Sequence, residues 1–418
     1  MIERKEIAKG IFLSKLDGNY KKTALSVFLR MDTTRENVTA GALLPQLLER
    51  GTRKYRDTVE LRRYLNKLYG AGLSATPMKF GSTRITEINI NGVAGAFVGE
   101  PVDELRAKLL LETLFEPNAS DAAFDAEWTG VEKNKLGEYI KSSINDKRTY
   151  CLEMLEAEYC KNDVRGLPDS GLLSDIDAIT PESIYDYYRS LISQSQVEIV
   201  CAGKLDGDMQ SDFFNEFERV NRAPKELAAQ APIAKRKPVV VSRQMDVVQD
   251  KLAMLFNCGF YLCEREQAVM RVANAILGGA PTSRLFMNVR EKQSLCYYCS
   301  SRIGNNTGGT LTIDVGTEKA DALRARDAIE REFEVLRENG VGKKELAETK
   351  LLFKNMLTGV RDTANSYISN YYVALLKNGY PKTPEAELAE LMTVTSDEIC
   401  ELLGKYELNT VCNIAGEN

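Results

Sequence analysis

The order of elements in the first half of the chain recurs in the second, and this constrains the fold more than any single motif does. In the first half a β-type run, Thr23 to Arg30, leads into helical stretches around Ala42 to Glu49 and Val59 to Tyr69, then into alternating positions such as Ile88 and Ile90. In the second half Leu252 to Phe260 leads into helices around Ala268 to Leu277 and Ser283 to Lys292, then into the alternating Leu311, Ile313 and Val315. The next helices correspond more closely still. Val102, Leu105, Leu109 and Leu110 keep one apolar face, as do Ala322, Ala325, Ile329, Phe333 and Leu336, with Gly340 placed to stop the second helix. Asp103 and Asp321 head these helices at a separation of 218, and Glu132 with Lys133 and Glu348 with Lys350 open later helical segments at an offset of 216. The pattern predicts an α+β fold of two similar domains, each a mainly antiparallel sheet packed against helices. A charged, Pro-containing passage lies near the middle. The expected organisation is therefore a domain over 1–221, a linker over 222–238 on which the halves hinge, and a domain over 239–418, with Lys235, Arg236 and Lys237 read as a solvated connector.

The chain contains no histidine, which removes Ser-His-Asp and Cys-His nucleophile activation, imidazole acid/base catalysis and His-ligated zinc. Lys plus Arg is 55 against 60 Asp plus Glu, so no basic field is present to hold nucleic acid or an anionic membrane. No run approaches the roughly 18 apolar residues of a membrane span. Met1 to Leu16 lacks a signal-peptide core, and the nine Cys follow no framework spacing, so a reducing cytoplasm and free thiols are expected. Cys296 and Cys299 form one CxxC-like pair. Within a strand their odd separation would point them to opposite faces, so a metal or redox role is set aside.

The segment with most chemical content is Leu277-Gly278-Gly279-Ala280-Pro281-Thr282-Ser283-Arg284-Leu285-Phe286, followed by Val289-Arg290-Glu291-Lys292 and Leu295-Cys296-Tyr297-Tyr298. The Gly pair allows a turn that another backbone approaches closely, and Ser283 is available as a helix N-cap. No Walker lysine follows, so a phosphate cradle is not indicated.

This run resembles the C-domain signature of the pitrilysin/insulinase family of zinc metallopeptidases. The duplicated layout is similar too. Tyr20-Lys21-Lys22-Thr23 resembles the family's entry into its first core strand, and Leu43 to Thr52 with Leu68-Tyr69-Gly70-Ala71 resembles its metal-site helix and the next one, most closely in members associated with modification of elongation factor P. Active members carry His-x-x-Glu-His on that helix. In this chain the resemblance places those positions at Ala42, Pro45 and Gln46, and the third ligand at Tyr139, or at Glu138 with a one-residue shift. None of the first three supplies a His ligand or a base, so the resemblance implies a zinc-free, catalytically inactive homologue with no cofactor. Glu49 and Glu132, near the lost site, read as solvated helix charges.

In two-subunit members of the family the metal-free chain helps to hold the peptide, through an Arg and a Tyr seven residues apart. These match Arg290 and Tyr297, beside the short Gly278-Gly279 turn that stands where mitochondrial processing members have a long glycine-rich insertion. The resemblance thus implies a substrate-binding subunit of a heterodimeric peptidase, its partner a zinc-bearing homologue or a second copy, acting on peptides. The alternative is a non-enzymatic scaffold with the same fold.

Overall fold

Strand patterning in the first half produces a six-stranded sheet. In the computed structural model, which describes residues 2–203, 209–304 and 309–416, its strands are β1 (Glu3–Ala8), β2 (Ile11–Leu16), β3 (Lys22–Asp32), β4 (Gly72–Phe80), β5 (Thr83–Val93) and β6 (Gln196–Ala202). Their order is β1-β2-β6-β3-β5-β4, antiparallel except for the pair β2 and β6. The second sheet holds β7 (Val239–Met245), β8 (Asp250–Asn257), β9 (Tyr298–Ile303), β10 (Thr310–Thr317) and β11 (Glu407–Gly416). Its order is β9-β10-β8-β11-β7, with only β11 and β7 parallel. Taken from β4 and from β9, the two sheets show the same succession of three antiparallel pairings and one parallel pairing. The sequence repeat is a repeat of topology.

The longer helices of the first half are α1 (Val38–Leu48), α2 (Thr58–Lys67), α3 (Val102–Phe115), α4 (Ala126–Ser143), α5 (Lys147–Tyr159), α6 (Pro181–Gln194) and α7 (Met209–Glu218). The second half has α8 (Glu264–Asn274), α9 (Ala322–Asn339), α10 (Lys343–Gly359), α11 (Ala364–Asn378), α12 (Pro384–Thr393) and α13 (Ser396–Leu403), with π-helical turns at Ala275–Gly279 and Leu285–Lys292. Glu132 and Glu348 lie inside α4 and α10; these helices begin at Ala126 and Lys343, so the two acidic residues do not open them. Asp125, whose carboxylate accepts the Trp128 N–H at 2.9 Å, supplies the start of α4.

The chain divides into two compact units that are not contiguous halves. One comprises 1–141, 167–229 and 359–383, the other 142–166, 230–358 and 384–418. Helix α5, from the first half, therefore belongs with the second sheet, and α11, from the second half, with the first. Each exchange follows from an apolar stripe. Cys151, Leu155 and Tyr159 recur at helical spacing and pack on Ala253, Leu255, Cys412 and Ile414. On α11, Ala364, Tyr367, Ile368, Tyr371, Tyr372 and Leu375 cover Leu16, Ala24, Phe28, Ile85, Val200 and Ala202, with the Phe28 and Tyr372 rings stacked at 3.6 Å. Fully burying each such large side chain contributes about 1.5–3 kcal/mol. The other face of the first sheet meets α1, α3, α6 and α7 through residues such as Leu43, Leu110, Leu191 and Phe213. Both faces are thus covered, and Thr23 to Leu29 is buried without alternation.

Residues 222–238 contain no helix or strand, but they are fastened along their length. The Lys225 N–H donates to the Gln194 carbonyl at 2.9 Å, and the Ala228 N–H to the Asp32 carboxylate at 3.1 Å. Further on, Asn257 Nδ2 donates to the Ile233 carbonyl at 2.9 Å, Lys235 pairs with Glu407 at 2.9 Å, and Arg236 donates to the Glu158 carbonyl at 2.8 Å. Lys235 and Arg236 are therefore bonded to neighbours and are not a purely solvated run. Among the described residues no helix is long and apolar enough to cross a membrane.

Candidate functional site

Helix α1 is positioned by Leu43, Leu44, Leu47 and Leu48, all in the core against the first sheet. Pro45 lies inside it, where its ring removes one helical N–H donor, yet the Glu49 N–H still reaches the Pro45 carbonyl at 3.2 Å, so the helix continues. Ala42 is 4% exposed and Pro45 buried, whereas Gln46 is exposed. Gly41 is required by contact, since a Cβ there would lie 2.3 Å from Cδ of the buried Arg84. On α4, Tyr139 is 63% exposed, and the exposed Glu138 pairs with Lys141 at 3.1 Å. A methyl, a pyrrolidine ring, a neutral amide and a phenol form no zinc ligand set. Among the described residues no group of three or more His, Cys, Asp or Glu is arranged to hold a metal ion.

The two carboxylates near this helix are not solvated, contrary to the expectation for single helix charges. Glu132 is 4% exposed and forms an ion pair with Arg50, whose Nε lies 2.5 Å from it, and with Lys135 at 3.1 Å. The Arg50 guanidinium also covers the Trp128 ring at 4.4 Å. Arg50, one turn past Gln46, thus holds the carboxylate. Glu49 accepts the Ala75 N–H at 2.5 Å; burial pushes its carboxyl up, that hydrogen bond opposes the shift, and nearby Glu132 adds to it. Because Ala75 spends its N–H on Glu49, the odd-numbered residues of edge strand β4 point their amides away from β5. Pro77, in the same phase, has none to offer. This edge is blunted at its middle.

In the second unit the Gly pair closes the π-helical turn Ala275–Gly279. A Cβ on Gly278 would sit 2.7 Å from the backbone nitrogen of Ser301 in β9, and one on Gly279 2.5 Å from Asn274 Nδ2. Close approach of another backbone is what Gly278 provides. Gly278→Ala is expected to lower the unfolding free energy by about 1–3 kcal/mol, measured by urea titration, because the contacted atom is backbone and cannot rotate away. Ser283 does not cap the following helix. Its hydroxyl is buried without a partner among the described residues, while its carbonyl accepts the Met287 N–H at 2.9 Å.

Arg290 lies in the turn Leu285–Lys292, its guanidinium over the Phe286 ring at 4.6 Å and 3.7 Å from Glu291. That carboxylate is itself half exposed and the separation is long for an ion pair, so Arg290 keeps donors for another group. Tyr297 is 58% exposed, with its N–H on the Gly316 carbonyl at 2.9 Å, immediately before edge strand β9. It does not fill the core.

Strand alternation does not set the relative facing of the half-buried Cys296 and the buried Cys299. The reason is local. Strand β9 starts only at Tyr298, and the chain bends at Tyr297, so alternation does not extend back to Cys296.

Residues 178–353 match the sequence family described as Peptidase M16 inactive domain. Over 400 residues the chain is 29% identical to the Probable inactive metalloprotease YmfF of Bacillus subtilis, covering 95% of this chain and 93% of that one. It superposes on a conserved protein of Enterococcus faecalis with a TM-score of 0.86 at 27% identity, covering 100% and 99% of the two chains. The peptidase M16 inactive domain structure of Pseudomonas fluorescens gives 0.81 at 17% identity, over 100% and 98%, a likeness of fold.

Proposed function

We infer that this chain, a homologue of the pitrilysin/insulinase (M16) peptidases in which the metal-site helix carries no ligand, acts as the peptide-holding subunit of a heterodimeric metallopeptidase. The observation that carries the reading is the pair Arg290 and Tyr297, both presented to solvent beside an edge strand, while Ala42, Pro45 and Gln46 of α1 offer no zinc ligand set. A guanidinium fork and a phenol are suited to hold a peptide carbonyl and to stabilise negative charge developing on it. The zinc and the general base come from a His-x-x-Glu-His partner. The substrate is a peptide or an unfolded segment, and the assembly belongs in a reducing cytoplasm, where nine cysteines remain thiols.

The test is hydrolysis of a mixed set of quenched peptides by the nearest His-x-x-Glu-His homologue of the same organism, with and without this chain. The rate should rise with added chain and saturate at equal molar ratio. A homologue fully active by itself and indifferent to this chain would sink the reading and leave the fold as a scaffold.

A further inference from the structure

We propose that Arg148, Lys251, Tyr298 and Arg302, gathered around the buried Asp314 on one face of the second sheet, form a binding site for a carboxylate carried by an acidic peptide segment.

Strand register assembles the group. Strands β9 and β10 set Tyr298 opposite Gly316, Ser300 opposite Asp314 and Arg302 opposite Thr312, and β8 sets Lys251 on the other side of Gly316. Alternation brings these side chains to one face, the face on which Ala253 and Leu255 receive α5. A Cβ at Gly316 would collide with the Tyr298 ring, lying 2.9 Å from its Cδ1, so the ring extends across the glycine. Arg148 of α5 places its guanidinium over that ring at 4.2 Å, and the Lys251 ammonium lies 5.6 Å from it. Arg148 Nε donates to one oxygen of Asp314 at 2.5 Å and its Nη2 to the Ser300 hydroxyl at 2.8 Å, while Arg302 Nη2 donates to the other oxygen at 3.0 Å. Asp314 is 2% exposed, yet the Arg148 and Arg302 side chains remain 42% and 48% exposed. The buried carboxylate orients two guanidinium groups that still reach solvent.

Donors are left over. Among the described residues, Arg148 Nη1 and Arg302 Nε and Nη1 donate to no protein group, and Lys251 Nζ donates only to Gln249 Oε1, at 3.1 Å. Positive charge is left over too. Asp146 spends its carboxylate on the start of α5, accepting the Arg148 and Thr149 N–H groups at 3.1 Å and the Thr149 hydroxyl at 2.7 Å. Asp250 points to the opposite face and accepts the Gly416 N–H at 2.9 Å. Three cations thus face Asp314 and the capping Asp146, and the one unmatched charge suits a monoanionic carboxylate better than a phosphate dianion. The Lys251 ammonium is lowered from its usual value, first by burial and then by Arg148, which an incoming anion would relieve. Tyr297 stands immediately before the strand that carries Tyr298 and Arg302, and along an extended chain it lies at most about 18 Å from Arg302. One short peptide therefore reaches from one to the other. That the carboxylate arrives on a peptide rests on the function proposed above; the charge complementarity does not.

The experiment titrates the full chain, without a partner, by calorimetry at low salt and neutral pH. The probes are short glycine- and alanine-based peptides acetylated at the N-terminus: one amidated and carrying a single Glu, its Gln counterpart, and the Gln peptide with a free C-terminal carboxylate. The Glu peptide should bind about tenfold more tightly than the amidated Gln peptide, and added salt should shrink the difference. In Lys251→Gln the preference should fall to about twofold while the urea midpoint stays in place, since this ammonium pairs with no carboxylate among the described residues. Tyr298→Phe, which keeps the ring beneath Arg148 and removes the phenol, should lower the preference about threefold. Should Lys251→Gln not fold, Tyr298→Phe decides. Equal affinity for the Glu and Gln peptides, or no binding of either at about millimolar concentration, overturns the site. A preference unchanged in both variants overturns its assignment to these residues. Displacement of the Glu peptide by an equal concentration of inorganic phosphate overturns the carboxylate as its ligand. Tightest binding of the peptide with the free C-terminus upholds the site and makes the terminal carboxylate the group it takes. A Glu preference in a chain that never stimulates the partner upholds the site and overturns the peptide-holding function; stimulation without the preference does the reverse.

Discussion

Asp103→Ala is expected to lower the unfolding free energy by about 3–5 kcal/mol, the cost of leaving a buried charge without its partner. Asp103 is 2% exposed near the start of α3. One carboxylate oxygen accepts the Gly95 N–H at 2.6 Å; the other accepts the Thr23 hydroxyl at 2.5 Å and the Arg106 guanidinium. Arg106 donates in turn to the Val93 carbonyl at 2.7 Å and to the Thr23 hydroxyl at 2.6 Å. The cluster ties α3 to the ends of β3 and β5. Burial lowers the Arg106 guanidinium from its usual value, so with Asp103 removed the uncompensated cation carries the desolvation penalty. Urea denaturation reads the loss. Asp103→Asn, which keeps acceptor geometry without charge, should lose less, and Asp103→Leu combined with Arg106→Met should recover part of the single-variant loss because neither charge is then stranded. A change under about 1 kcal/mol in Asp103→Ala would show that water reaches this cluster.

Arg290→Ala is expected to reduce the hydrolysis stimulated in the partner by about 10²-fold, the typical effect of removing one preorganised donor to a developing oxyanion. The guanidinium is held by Phe286 rather than by a close carboxylate, so its removal strands no buried charge and the fold should keep its unfolding midpoint. That separation lets the activity loss be assigned to substrate. The loss should fall mainly on kcat, since the contact strengthens as charge develops. Arg290→Lys should recover only part of it, a point charge lacking the planar fork. Tyr297→Ala should act in the same direction. Stimulation within about twofold of wild type in both variants would remove these residues from the peptide-holding role.

The duplication was legible because both sheets draw their strands in the same order from apolar runs of similar spacing. Helical faces such as Ala325, Ile329, Phe333 and Leu336 carried the same information, and all four are buried. That Ala42, Pro45 and Gln46 offer no zinc ligand set follows from residue type alone. Other features are not legible, because a short segment departs from the rule of its nearest regular element. Cys296 lies two residues before its strand begins. Helix Leu285–Lys292 has Arg284 before it and no side-chain cap, so Ser283 does not cap it. The burial of Glu49 and Glu132 depends on partners, Ala75 and Arg50, that lie in other elements.

The sequence by itself determined the two α+β repeats, the absence of histidine chemistry and the residue types carried by α1, because these depend on residue type and on local periodicity. Only the tertiary structure decided that α5 and α11 are exchanged between the units and that Arg50 neutralises Glu132. These are contacts between groups distant in sequence, and a helix with an apolar stripe carries no mark of which sheet it will cover. Each sheet offers a buried face, and α5 and α11 each settle where the whole chain brings their stripes.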